Sequence, residues 1–184
     1  MANEILAKDL TAFVWAHEDD YDDTKSGLVW THELDLTSLA DAAAQQGVKA
    51  DLGATRSIDY AVLACIEMAV APAVGAGVPI YWAGSPIVTA GNANPGGTSG
   101  VNAAYTGTAG ATIAEAVNQL KLIGTFYLTD DATAVLQYMQ VGVLRGNLVP
   151  RFGMPVVFNE GGQAFHNDAV EMYVALLPIT PEIQ

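Results

Sequence analysis

Residues 58–70 constrain the fold more than any other stretch of this chain. Ile58, Tyr60, Val62, Ala64, Ile66, Met68 and Val70 occupy one parity, and Asp59, Ala61, Leu63, Cys65, Glu67 and Ala69 the other. In a strand the two parities point to opposite faces, so this segment has one strongly apolar face and one mixed face. A helix would scatter both sets around its circumference. Further strands are expected over residues 78–82, 120–129, 133–144, 154–159 and 169–179, which are rich in Val, Ile, Leu, Phe and Tyr. Turn signals separate them at Thr129-Asp130-Asp131, Arg145-Gly146-Asn147 and Asn159-Glu160-Gly161-Gly162. Many strands with little helix predict a mainly β protein, an antiparallel β-sandwich that buries its apolar faces between two sheets.

Length and charge narrow the function. The 184 residues fit one core, and a hydrophobic content of 51% argues against disorder. Seven Lys and Arg against twenty Asp and Glu give a net charge of −13. Phosphate contacts need a cationic surface, so nucleic-acid binding is not expected, and anionic membranes are disfavoured in the same way. Residues 1–10 lack the basic and apolar regions of a signal peptide. The most apolar run, residues 68–80, is too short to span a bilayer and is interrupted by Pro72, Gly75, Gly77 and Pro79.

The basic residues are unevenly placed. Lys8, Lys25, Lys49 and Arg56 lie in residues 1–56, and no Lys or Arg occurs from Ser57 to Leu120. This suggests an N-terminal arm or extension, residues 1–48, followed by a β-sandwich domain, residues 49–184. The apolar pieces Phe13-Val14-Trp15 and Leu28-Val29-Trp30 flank an acidic run and need cover. They can add to the chain's own sheet or reach a neighbouring subunit. Residues 37–46 are open between a helix and an extended passage. Residues 84–110, dense in Gly, Asn, Ser and Thr, form a loop longer than connections usually are, which points to contact.

No catalytic constellation emerges. The run Glu18-Asp19-Asp20-Tyr21-Asp22-Asp23 has carboxylates but not the spacing of a calcium loop. His17-Glu18 begins like a zinc helix, yet position 21 is Tyr. Gly91 to Thr98 lacks the lysine of a phosphate loop, and Ser85 and Ser99 sit in no nucleophile elbow. Asp59 and Glu67, eight residues apart on a strand, would be separated by about 26 Å. Cys65 falls in a strand with no cationic neighbour and is expected to be buried and inert. The expectation is no catalytic residue, no cofactor and no metal.

Several stretches resemble the head proteins that decorate or cement tailed-phage capsids. They are Ala50-Asp51-Leu52-Gly53-Ala54-Thr55-Arg56, Pro79-Ile80-Tyr81-Trp82-Ala83, Asn94-Pro95-Gly96-Gly97 and Ala103-Ala104-Tyr105-Thr106-Gly107. Leu122-Ile123-Gly124 and His166-Asn167-Asp168-Ala169-Val170-Glu171-Met172 continue the likeness, which covers about three-quarters of the chain. The resemblance implies a jelly-roll-like sandwich on the outer surface of a virion. Its partners would be the major capsid protein and further copies of itself, as a dimer or trimer. Phe13, Trp15, Trp30, Trp82, Asn94, Pro95 and Tyr105 are the candidate subunit contacts. A glycan- or host-surface-binding module of a phage particle is the alternative, with Trp82 or Tyr105 in a shallow groove.

Overall fold

A computed structural model describes residues 5–8, 11–129 and 136–183. The expected turn at Asp130-Asp131 and the strand start at 133–135 lie outside the described residues. The chain is mainly β. Among the described residues twelve strands form a single sheet. In chain order they are β1 (Ile5–Lys8), β2 (Phe13–Ala16), β3 (His32–Glu33), β4 (Ala44–Gln46), β5 (Ala50–Asp51) and β6 (Asp59–Glu67). Then come β7 (Gly77–Ser85), β8 (Ala103–Tyr105), β9 (Lys121–Tyr127), β10 (Leu136–Arg145), β11 (Phe152–Phe158) and β12 (Tyr173–Ile183). The spatial order is β3-β2-β12-β6-β10-β9-β7-β11-β4-β8, with β1 alongside the end of β12 and β5 alongside β11. β2 and β3 pair in parallel and the other pairs are antiparallel. The sheet is therefore mixed, and it curls as a half-barrel.

The parity of residues 58–70 acts as the alternation requires from Tyr60 to Met68, whereas Ile58 and Val70 at its ends are exposed. Tyr60, Val62, Ala64, Ile66 and Met68 enter the principal core inside the curl. Val78, Ile80 and Trp82 of β7, Trp15 of β2 and Val174 and Leu176 of β12 join them there. Curling brings β2 against β7, which lie well apart in the strand order. The Trp15 and Trp82 rings meet edge-on, with centroids 5.7 Å apart.

The outer parity is covered too. Ala44, Ala83, Tyr105, Met154, Val156 and Phe158 pack under α2 (Ile113–Ala116) and the 3-10 turn after it, through Ala116, Val117 and Leu120. Thr112 and Glu115 close the start of α2 as a reciprocal capping box. On the other flank, Val14, Ala16, Cys65, Tyr173 and Ala175 lie beneath Tyr21, Leu28 and Trp30. α1 (Asp23–Ser26), a single turn, sits in that covering loop. Most of the sheet thus has apolar cover on both faces.

The N-terminal pieces are woven into this sheet. β2 lies between β3 and β12, and β4 lies between β11 and β8. Of the two places open to Phe13-Val14-Trp15, its own sheet is where it sits. Residues 37–46 form no helix. Ser38 and Ala42 take positive φ of 53° and 60°, and the segment ends in β4. Buried Asn159 fixes it, its amide donating to Leu39 O at 2.9 Å and its backbone N–H to Ala43 O at 2.9 Å.

β10 departs from simple alternation. A bulge between Gln140 and Gly142 shifts its register against β6. Met139 before the bulge and Val141 within it pack on the inner core and Leu144 enters it afterwards, leaving Val143 45% exposed. The bulge sits where β10 meets β9, at the pair Gly142↔Gly124. A Cβ on Gly142 would lie 1.9 Å from Ile123 O, and one on Gly124 would lie 2.5 Å from Val141 O. Only a pair of glycines lets the strands approach this closely. Gly142→Ala should destabilise the fold by about 2–3 kcal/mol, as overpacking does. Gly91→Ala, at a site with open space and no positive φ, should be near neutral. Urea midpoints at unchanged m-value check both.

Candidate functional site

The sequence-predicted contact residues divide by position. Trp15 is wholly buried, and its Nε1 donates to Val48 O at 2.8 Å. Phe13 stacks on it with centroids 6.3 Å apart, half-buried. Trp82 is inside the curl, and its Nε1 has no hydrogen-bond partner among the described residues. Trp30 covers the outer face of β2 and donates from Nε1 to Ala16 O at 3.2 Å. Tyr105 is buried under α2, and its hydroxyl donates to Gly96 O at 2.6 Å. Asn94 and Pro95 are half-buried in the long loop. The rings of Trp15, Trp82 and Tyr105 serve the cores of this chain, so its surface is built from other residues.

That surface centres on residues 84–110, which have a definite structure. Lys49 organises the first half. Its ammonium donates to Thr89 O at 2.8 Å, Ile87 O at 3.1 Å and Asn92 O at 3.2 Å, and to Ser85 Oγ at 3.1 Å. Three loop carbonyls are gathered around one cation. Burial pushes the Lys49 ammonium below its ordinary range. Asn94 ties the second half, donating from Nδ2 to Ala90 O at 2.6 Å and Thr98 O at 2.9 Å. Pro95 opens the 3-10 turn Pro95–Gly97, and its carbonyl accepts from the Thr98 hydroxyl at 2.9 Å. Ile87 and Val88 are left exposed at the tip, Val88 by 68%. The local sequence gave one hint of Lys49's part: it and Arg56 are the last cations before the long stretch without any.

Arg56 performs a similar task nearby. It donates from Nε to Gly146 O at 2.7 Å and from a terminal nitrogen to Val149 O at 2.9 Å, joining two loops. A shallow hollow of about 300 Å³ lies there, lined by Ala54, Thr55, Arg56, Ser57, Ile58 and Asn147. Arg151 grips Asp51 with two bonds, at 2.7 and 2.6 Å, and holds that carboxyl below its usual range.

The remaining candidates are dispersed. His32 lies against the Trp15 ring, 5.2 Å between centroids, and burial lowers its pKa. His17 Nδ1 accepts from Asp20 N–H at 3.2 Å, and His166 Nδ1 from Asp168 N–H at 3.2 Å. Asp22 caps α1, accepting from Thr24 N–H at 3.0 Å. Among the described residues no three His, Cys, Asp or Glu gather closely enough to hold a metal ion. Cys65 is buried, and desolvation pushes its thiol up to about 12.

Lys49→Met keeps the stem and removes the donors, leaving the carbonyls of Ile87, Thr89 and Asn92 without the ammonium. The loss should be about 1–3 kcal/mol. Amide exchange should quicken over residues 85–99 and stay unchanged in β6 and β12. No family model, curated protein or solved structure matches the chain.

Proposed function

We propose that this chain is a structural virion protein that decorates a tailed-phage capsid and stabilises it by bridging major capsid subunits. The observation that carries the reading is the long loop over residues 84–110. It is held from beneath by Lys49 and Asn94 and presents Ile87 and Val88 to solvent. A loop fixed before contact loses little entropy on binding, which suits a fastener. Of the stretches that resemble capsid cement proteins, residues 94–97 and 103–107 lie in this loop and residues 79–83 lead into it, while 50–56, 122–124 and 166–172 lie outside it. On this reading the curled sheet is a variant of the jelly-roll sandwich, with its two halves joined at Gly124 and Gly142. The major capsid protein and copies of the chain itself are the proposed partners, and catalysis is not part of the role. A glycan-binding role would use Trp82 or Tyr105 in a groove, and both rings are committed to the chain's own cores.

Cosedimentation with cognate capsid shells that lack this protein tests the proposal. Binding should saturate at a fixed number of copies per shell. The pair Ile87→Asp and Val88→Asp should weaken it at least about tenfold, as the loss of central apolar anchors does. Absence of binding by the folded wild-type protein would count against the reading.

A further inference from the structure

Strand register sorts the charged residues by end of the molecule. β6 runs from Asp59 to Glu67, and its antiparallel neighbours set Arg145 and Ile179 beside Asp59. That is the near end. Following the register across the sheet brings Lys121, Ser85 and Phe152 to the same end. Lys49 and Arg151 flank β5 and β11 there, Arg56 is bonded to Gly146 and Val149, and Lys8 pairs with Thr180 just beyond. Of the seven Lys and Arg residues, only Lys25 is elsewhere. It is bonded to Glu171 at the far end.

The far end is acidic. Glu67 ends β6, and Glu160 bridges to Gly77 at the start of β7. Asp168 and Glu171 precede Tyr173, and the Glu18–Asp23 run follows β2, with Asp22 N–H bonded to Val170 O. Asp51, Asp59 and, at the β1–β12 ladder that also carries Lys8, Glu182 are the carboxylates placed among the near-end cations.

Exposed apolar side chains occur at both ends. The near end shows Ile58, Ile87, Val88 and Leu148, and the far end shows Val70, Val74 and Tyr127. Leu148 is 68% exposed and Val74 74%. Apolar centres with charged rims are the anatomy of protein interfaces, and here the two rims have opposite sign.

We infer that copies of this chain associate head to tail, the cationic near end of one docking on the acidic far end of the next. The interface is heterologous, so the copies form a ring or an open row, not a two-fold dimer. The partner is a second copy because the chain itself carries both complementary surfaces. Phosphate is the less suitable ligand, since carboxylates interleave with the near-end cations and the whole chain carries −13. At physiological salt the screening length is about 8 Å, so pairs at contact survive while repulsion between whole molecules fades. The inference rests on the self-association named in the capsid reading, and not on the bridging of capsid subunits. Shells decorated by a protein that remains monomeric would sink this inference and leave the bridging intact.

Sedimentation velocity of the full chain at about 0.1 M and about 1 M NaCl tests it, because the screening length falls from about 10 to about 3 Å. The wild type should associate with rising concentration at the lower salt and weaken at the higher. Lys121→Glu with Arg145→Glu should abolish association, and so should Asp19→Lys with Glu160→Lys. The second pair lowers the net negative charge, so general repulsion alone would predict stronger association. An equal mixture of the two double variants should assemble again, because each altered end meets its complement. A monomeric wild type, a closed dimer indifferent to the far-end pair, or a mixture that stays monomeric would overturn the inference. Near-end binding to a DNA duplex in preference to a second copy would overturn it as well.

Discussion

The edge-on contact of Trp15 and Trp82 sets the architecture. These residues are 67 positions apart in sequence and come from strands well separated in the sheet. They can touch only if the sheet curls. Once they touch, the inner faces of β2, β6, β7 and β12 close on a common interior. Large aromatic rings contribute most of the area buried in such a core, and an edge-to-face pair adds about 0.5–1.5 kcal/mol beyond burial. Gly47 and Gly153 make room for the pair: a Cβ on Gly47 would lie 2.8 Å from the Trp15 ring, and one on Gly153 would lie 2.4 Å from the Trp82 ring.

Closure on the inside leaves the outer faces of the same strands to be covered locally. α2 covers the β7–β11–β4–β8 side, and the loop through Tyr21, Leu28 and Trp30 covers the β2–β12 side. The ends of the molecule are what remain for contact. The strands there are fixed by the sheet, and the loops there are fixed by Lys49, Arg56, Asn94 and Asn159. Charge follows the same division, with cations gathered where β5, β10 and β11 meet their loops and carboxylates where β6 and β11 end. A rigid body with distinct ends is what the proposed fastening role requires.

Much of the strand set was legible. β6, β7, β9, β10, β11 and β12 all carry runs long enough for parity to be read, and the inner face of β6 follows its alternation residue by residue. The strands β3, β4, β5 and β8 span two or three residues each, too few for a period to register. The pairing of β4, β5 and β8 depends on partners more than fifty residues away, such as Phe158 for Ala44, and that of β3 on β2, 17 residues back. The expectation of two separate antiparallel sheets came from many strands with turn signals between them and little helix. The joining of the halves rests on the approach of Gly142 to Gly124, which nothing local announces. The same holds at the candidate site. A long polar loop was visible, but its order comes from Lys49, which lies 40 residues from the Thr89 carbonyl it binds. Trp82 and Tyr105 stood out as aromatic residues beside a loop, and only the packing shows that Trp82 enters the inner core and Tyr105 is covered by α2 on the outer face.

The account rests on closure of the curled sheet through Trp15 and Trp82. A double-mutant cycle with Trp15→Leu and Trp82→Leu, read by equilibrium denaturation, tests this directly. Each substitution alone should be strongly destabilising, and the pair should show a coupling energy of about 1 kcal/mol, as residues in direct aromatic contact do. Additive effects, with no coupling between the two positions, would mean that β2 and β7 do not meet and that the sheet is not closed by this contact.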